Sequence, residues 1–178
     1  SWFVDFDGVT EFEDSELGQI PKGWSVIELQ NIAKVIDSAH TTPKYSIDGY
    51  PMVRVTDIKS GSLNLKDTLK VSKDVYEEYT KNHRPTKNDI VMSRVGTYGV
   101  IAIVNFNEEF CLGQNTVVIH SPINHFLYCA LNSNSVKSQI EEKVVGTTQK
   151  TLSLKYIREL LIPQPKESKL VESFNIKS

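Results

Sequence analysis

The sequence has few of the features that usually announce bond chemistry. It holds two cysteines in 178 residues. Cys111 and Cys129 stand apart without CxxC spacing, so neither a disulfide framework nor a zinc ribbon is indicated. Both are expected to be reduced, buried thiols of a cytoplasmic protein. The histidines, His40, His83, His120 and His125, are scattered, and no two keep zinc-ligand spacing with a cysteine or carboxylate. Each reads as a surface or boundary histidine, and no metal site is expected. GxxxxGK[ST], GxGxxG and GxSxG are all absent, which removes the P-loop, the dinucleotide fingerprint and the nucleophile elbow. No cofactor is expected. No run of roughly 18 apolar residues exists to span a membrane. The N-terminus has no basic stretch leading into an apolar one, so no signal peptide is expected. Internal repeats and low-complexity segments are missing too.

What is present is ordinary in bulk and uneven in detail. The length suits one domain with tails, and hydrophobic and charged fractions of 39% and 24% suit a soluble globular chain. The net charge of −2 argues against a simple basic nucleic-acid binder. Ser1 to Ala33, however, carries seven acids and one base, and Lys34 to Arg94 carries eleven bases and eight acids. Without its acidic head the chain is positive and can present a basic face, although a mixed, solvated surface explains the same charges.

The frame lies in Asn88 to Ile119. Ile90-Val91-Met92, Val100 to Val104 and Val117 to Ile119 are apolar runs of strand length, rich in β-branched residues. Between the first two sits Ser93-Arg94-Val95-Gly96-Thr97-Tyr98-Gly99, and Gly113-Gln114-Asn115-Thr116 enters the third. Upstream, the pattern predicts a strand from Trp24, a helical turn at 28–33, a strand at 33–37, a loop over 37–48 around Thr42-Pro43, and a strand at 50–55. Asp7 to Gln19 reads as an acidic loop. Leu63 to Val71 alternates weakly, and Ser72 is placed to cap a helix at 73–79. Asn105 to Glu109 reads as a hairpin-like connection. Helices are predicted at 124–132 and 135–144, the second capped by Ser133, and Ser153 caps another at 154–159. Leu160-Leu161-Ile162 is a last strand that Pro163 and Pro165 end.

Polar loops therefore recur on an apolar frame: Thr41 to Tyr45, Arg54 to Asp57, Ser93 to Gly99, Gly113 to Thr116, and Gly146 to Thr151. Arg forks onto guanine, Asn or Gln forks onto adenine, and hydroxyls and Lys hold phosphates. Taken singly, each loop is better explained by ordinary turn chemistry, with Gly and Thr there for backbone reasons, and a salt bridge to Asp57 or Asp89 is a second structural reading of Arg94. Glu141-Glu142-Lys143 offers the carboxylate-x-lysine pair of many metal-dependent nucleases. It lies on a predicted helix with no preceding Pro-Asp on a strand, and an exposed helical face is the stronger reading.

Taken in order, the loops carry a resemblance. SWFVDF, then LGQIPKGW, resembles the entry to the second target recognition domain of the specificity (S, or HsdS) subunits of type I restriction–modification systems. Thr42-Pro43, the Gly49 to Ile58 strand with Gly61 soon after, and Asn88 to Gly96 followed by Gly99 resemble that domain's successive steps. Gln114-Asn115 stands near the family's Asn-Gln pair in reversed order. Phe126 to Leu131 resembles its helix, Gly146 to Ser153 its G-x-x-Q-x-x-hydrophobic-S loop, and Leu160 to Pro165 its L-x-I-P-x-P exit. Asn88 departs from the family's glycine, a position where Asn also accepts left-handed geometry. The exit lacks the family's Glu-Gln pair, and Lys169 to Phe174 resembles only the start of its long conserved helix.

The resemblance implies a non-catalytic subunit that reads one half of a bipartite target on double-stranded DNA and directs methyltransferase and, indirectly, restriction subunits. It also implies a second recognition domain or a second copy of this chain. The sequence agrees by omission, with no Asn-Pro-Pro-aromatic motif. The expected DNA contacts are Ser93, Arg94, Thr97, Tyr98, Gln114, Asn115, Thr147, Thr148, Gln149 and Lys150, with Thr41, Thr42, Lys44, Tyr45, Arg54 and Lys59 beside them. The expected fold is mixed α/β (α+β): a twisted β-sheet of short strands with helices on one side and the stub of a long helix. Residues 1–19 are expected to be a preceding segment and linker, 20–165 the recognition domain, and 166–178 the helix start. The rival from another class is a protein- or glycan-binding interaction domain whose loops read something other than DNA.

Overall fold

The structure, a computed structural model, describes residues 10–144 and 150–166. The SWFVDF cue, the 145–149 part of the last polar loop and the terminal helix stub lie outside the described residues. In chain order the strands are β1 (Phe12–Ser15), β2 (Gly18–Pro21), β3 (Trp24–Glu28), β4 (Lys34–Asp37), β5 (Tyr45–Ser46), β6 (Tyr50–Val53), β7 (Gly61–Ser62), β8 (Leu69–Val71), β9 (Ile90–Ser93), β10 (Ile101–Ile103), β11 (Cys111–Leu112), β12 (Thr116–His120) and β13 (Leu161–Pro165). The helices are α1 (Lys73–Tyr79), α2 (Asn124–Leu131), α3 (Asn134–Lys143) and α4 (Leu154–Arg158), with 3-10 turns at Leu29–Asn31 and Val55–Asp57.

β9 is the middle of a central sheet ordered β4-β12-β9-β10-β7, antiparallel except for β7 on β10. Successive strand side chains point to opposite faces, and here both faces are covered. Ile90, Met92, Ile101, Val117 and Ile119 pack with Phe126, Leu127, Val136 and Ile157 of α2, α3 and α4. Val91, Ala102 and Val118 face the other way, against Val53, Ile58, Leu63, Phe110 and Leu112. This explains why these strands are continuous apolar runs rather than alternating ones. Phe110 and Phe126 are each at most 1% exposed, and truncating either to Ala costs about 3–5 kcal/mol.

Helices α2, α3 and α4 lie on one side of the central sheet, but α1 does not join them, and the strands make four sheets among the described residues rather than one. The second sheet, β11-β6-β8-β5, carries α1, whose Tyr76 packs with Met52, Val71 and Cys111 and stacks on Tyr50 at 4.1 Å. Gly49 lets β6 begin there: at φ +130° its missing Cβ would stand 2.2 Å from the Val71 carbonyl oxygen. Burial pushes the Cys111 thiol up to about 12, so it packs as a small apolar group.

Several expectations need correction. The acidic 7–19 stretch contains β1 and the start of β2, which runs on to Pro21, and the two strands pair antiparallel. Tyr45–Ser46, inside the expected 37–48 loop, pairs with β8. Leu63 to Val71 is strand only at its end. Asn105 to Glu109 is no hairpin, because β10 and β11 belong to different sheets.

Pro163 and Pro165 lie inside β13, opposite Val26 and Trp24 of β3. The backbone N–H and C=O of Leu161 face away from β3 and bond the Gln139 amide at 2.9 Å each. Residues 163 and 165 share that outward phase, so a missing N–H there costs no ladder bond.

Candidate functional site

The strand registers send the polar loops out at one end of the molecule. Asp37 ends β4 beside Val117, Thr116 opens β12 beside Ser93 at the end of β9, and Ile101 opens β10 beside Met92. β7 opens parallel to β10, so Lys59 and Ser60 precede it on the same rim. In the second sheet β6 and β11 run parallel, and Arg54 and Gly113 leave them together, with Gly113 N–H donating to Val53 O at 2.8 Å. Gly113-Gln114-Asn115 carries the chain from that sheet into β12, which joins the two rims.

There an open groove of about 290 Å³ is lined by Thr41, Thr42, Pro43, Tyr45, Met52, Arg54, Val55, Thr56, Gly113, Gln114 and Asn115. Six expected contact residues from three separate stretches thus share one wall. Their supports are short and local. Tyr79 OH lies 2.8 Å from Thr41 Oγ1 and donates to Thr41 O at 2.6 Å, which fixes the Thr-Pro loop to α1. Gln114 Nε2 donates to His40 O at 2.6 Å. Asn115 is exposed at φ 62°, a left-handed geometry that Asn tolerates. Arg54 forks onto Asp57, Nε to Oδ2 at 2.9 Å and Nη2 to Oδ1 at 3.0 Å, and this bond holds its pKa above the usual value. Lys44 is exposed on the same loop as Thr42, and Lys59 lines the adjoining hollow with Thr56 and Asp57.

The loop after β9 divides into inward and outward residues. Ser93 is fully buried and its hydroxyl donates to Thr97 O. Arg94 is 14% exposed, donates from Nη1 to Asp37 Oδ1 at 2.7 Å and from Nε to Leu152 O at 3.1 Å. Its anionic partner is neither Asp57 nor Asp89. These two expected contacts are turned inward: Ser93 closes its own loop, and Arg94 ties β9, β4 and the 150–152 segment together. Thr97 is exposed. Tyr98 OH donates to Glu141 Oε2 at 2.9 Å, and the exposed Lys150 places Nζ 5.7 Å from the Tyr98 ring. Thr147, Thr148 and Gln149 lie outside the described residues. Glu141 is occupied by Tyr98, and Lys143 lies over the Tyr156 ring, so no carboxylate–lysine pair forms.

One cluster escaped the sequence reading. At the opposite end of the central sheet His83 and His120 both meet Asp89. The sequence spacing of 83, 89 and 120 gives no signal for it. β9 and β12 bring Asp89 and His120 to one sheet end, and the 80–89 connection brings His83 back to them.

A family model for the type I restriction modification DNA specificity domain matches residues 21–171. Two curated relatives are similar over most of the chain. The type I restriction enzyme EcoBI specificity subunit of Escherichia coli is 29% identical over 154 residues, covering 82% of this chain and 32% of the relative. The putative type I restriction enzyme MjaX specificity subunit of Methanocaldococcus jannaschii is 27% identical over 167 residues, covering 86% and 38%. The chain therefore spans about a third of the length of these relatives. The crystal structure of the HsdS subunit from Thermoanaerobacter tengcongensis shares the fold, with a TM-score of 0.60 at 14% identity over 93% of this chain and 39% of that one. No helix among the described residues is long and apolar enough to cross a membrane.

Proposed function

Because the chain belongs to the type I restriction modification DNA specificity domain family, we propose that its loop rim reads one half of a bipartite target on double-stranded DNA. The observation that carries this reading is the groove in which Thr41, Thr42, Tyr45, Arg54, Gln114 and Asn115 meet. Gln114 and Asn115 offer the amide pairs that fork onto adenine, and Arg54 and the threonines add edge or backbone contacts. Lys44, Lys59 and Lys150 hold phosphates. Thr97 and Tyr98 extend the contact past the groove, and Thr147, Thr148 and Gln149 are further proposed contacts. Ser93 and Arg94 serve from behind by holding the loops.

On this reading the chain recognises DNA and leaves bond chemistry to partners. Modification subunits methylate the target it selects, and restriction subunits cut through them. Residues 20–165 are the recognition unit, and 1–19 and 166–178 are the segments that flank it. A second recognition domain, or a second copy of this chain, reads the other half. Such a complex works on DNA in the cytoplasm.

Phosphate contacts release counterions, so affinity for any duplex falls with salt at a log–log slope of roughly −2.7 for three phosphates, or about 40-fold between about 50 and 200 mM. Fluorescence anisotropy of a labelled duplex with the full chain measures this. Absent binding, or binding indifferent to salt, favours the protein- or glycan-binding alternative.

A further inference from the structure

The end of the central sheet away from the rim carries chemistry that DNA reading does not use. Asp89 immediately precedes β9 and is 1% exposed. His83 Nε2 lies 2.8 Å from its Oδ2, and His120 Nδ1 lies 2.7 Å from its Oδ1. The rings are 4.9 Å apart, and the three donor atoms all lie within 4.8 Å of one another. The arrangement is held by backbone rather than by chance contact. Asn88, at φ 73°, donates its N–H to Val104 O at 2.7 Å, and Val104 N–H returns a bond to Asp89 O at 2.9 Å.

We propose that His83, Asp89 and His120 are ligands of a divalent transition-metal ion of the zinc class, with a fourth position open to water. Neutral imidazole and carboxylate are the nitrogen and oxygen donors that zinc, cobalt and nickel take. Thr86 N–H donates to Asp89 Oδ2 at 2.9 Å, the kind of outer bond that orients a ligating carboxylate. His120 is 44% exposed, which leaves solvent a way in and the ring room to turn. The turn required is small, since donors around tetrahedral zinc stand about 3.3 Å apart. Asn124 donates its amide to Asn88 O and Ile119 O, next to two of the ligands, and its buried Oδ1 has no donor among the described residues. Each imidazole ligates through the nitrogen that now meets Asp89 and keeps its one proton on the other ring nitrogen, so neutral rings bind the ion with no net proton release, and the ion staples the 80–89 connection to the end of β12.

The test uses the full chain without an affinity tag, stripped with EDTA and titrated with zinc chloride and cobalt chloride. One equivalent of zinc per chain is expected, with a Tm that climbs with zinc concentration. Cobalt should give tetrahedral absorption bands without thiolate charge transfer, which excludes Cys111 and Cys129. His120→Ala should lose the equivalent while His40→Ala, at the other end of the sheet, keeps it. X-ray absorption on the wild-type zinc form should show two imidazoles and no sulfur, a result independent of whether any variant folds. No binding at micromolar zinc, a sulfur ligand, or His120→Ala binding like the wild type would leave the three residues a hydrogen-bonded clamp only.

Discussion

Arg94 and Asn115 show how differently two polar rim residues can serve one surface. Arg94 is paired with Asp37 and the Leu152 carbonyl in a partly buried setting. Asn115 is exposed at a left-handed φ of 62°. Arg94→Ala leaves the Asp37 carboxylate with only the Ser38 N–H and the exposed His40 beside it, frees the Leu152 carbonyl, and should cost about 2 kcal/mol in urea unfolding. Asn115→Gly removes an amide without straining the backbone. It should change stability by less than about 0.5 kcal/mol and weaken target binding by about 1–3 kcal/mol. Anisotropy on the cognate half-site and chemical denaturation, run on both variants, separate the roles. If Arg94→Ala unfolds like the wild type and loses DNA instead, the guanidinium faces the bases. The sequence marked both residues as polar loop groups but could not tell brace from reader. The partner that decides it, Asp37, lies 57 residues earlier in the chain. Chain separation also hid His120, 31 residues from Asp89, whose spacing from His83 and Asp89 means nothing until β9 and β12 pair.

Local signals placed most elements well. Ile90–Ser93, Asn124–Leu131 and Leu154–Arg158 lie within two residues of where apolar periodicity and caps put them, because their signals need only near neighbours. Where an element depends on what stands beside it, the pattern misled. Pro163 and Pro165 read as a strand end, but a proline stops a strand only where its absent N–H faced the partner. Asp7 to Gln19 read as loop because its charges mask the β1–β2 pairing. Caps separate in the same way. Ser133 Oγ accepts Val136 N–H at 3.4 Å, whereas Ser72, equally well placed in sequence, makes no side-chain cap bond. Ser133→Ala should therefore lower stability by about 1 kcal/mol. Ser72→Ala should stay within about 0.5 kcal/mol. Equal losses in thermal unfolding would mean that α1 is capped as α3 is.

At the scale of the whole molecule, the groove is a product of topology. Its residues come from positions 41 to 45, 52 to 56 and 113 to 115, and they meet because β6 and β11 run parallel and β11 hands the chain to β12. The order of the loops was legible in the sequence, and their convergence on one rim was not. That rim is the surface we propose for DNA, with the metal corner at the far end of the same sheet. The decisive measurement is adenine-methylation mapping of DNA exposed to the chain assembled with the modification subunits of its own system, beside the same complex carrying Gln114→Ala with Asn115→Gly. The rim reading predicts methylation at one bipartite pattern for the wild type, and loss or relaxation confined to one half of that pattern for the variant. Methylation at an unchanged pattern in the variant would contradict it.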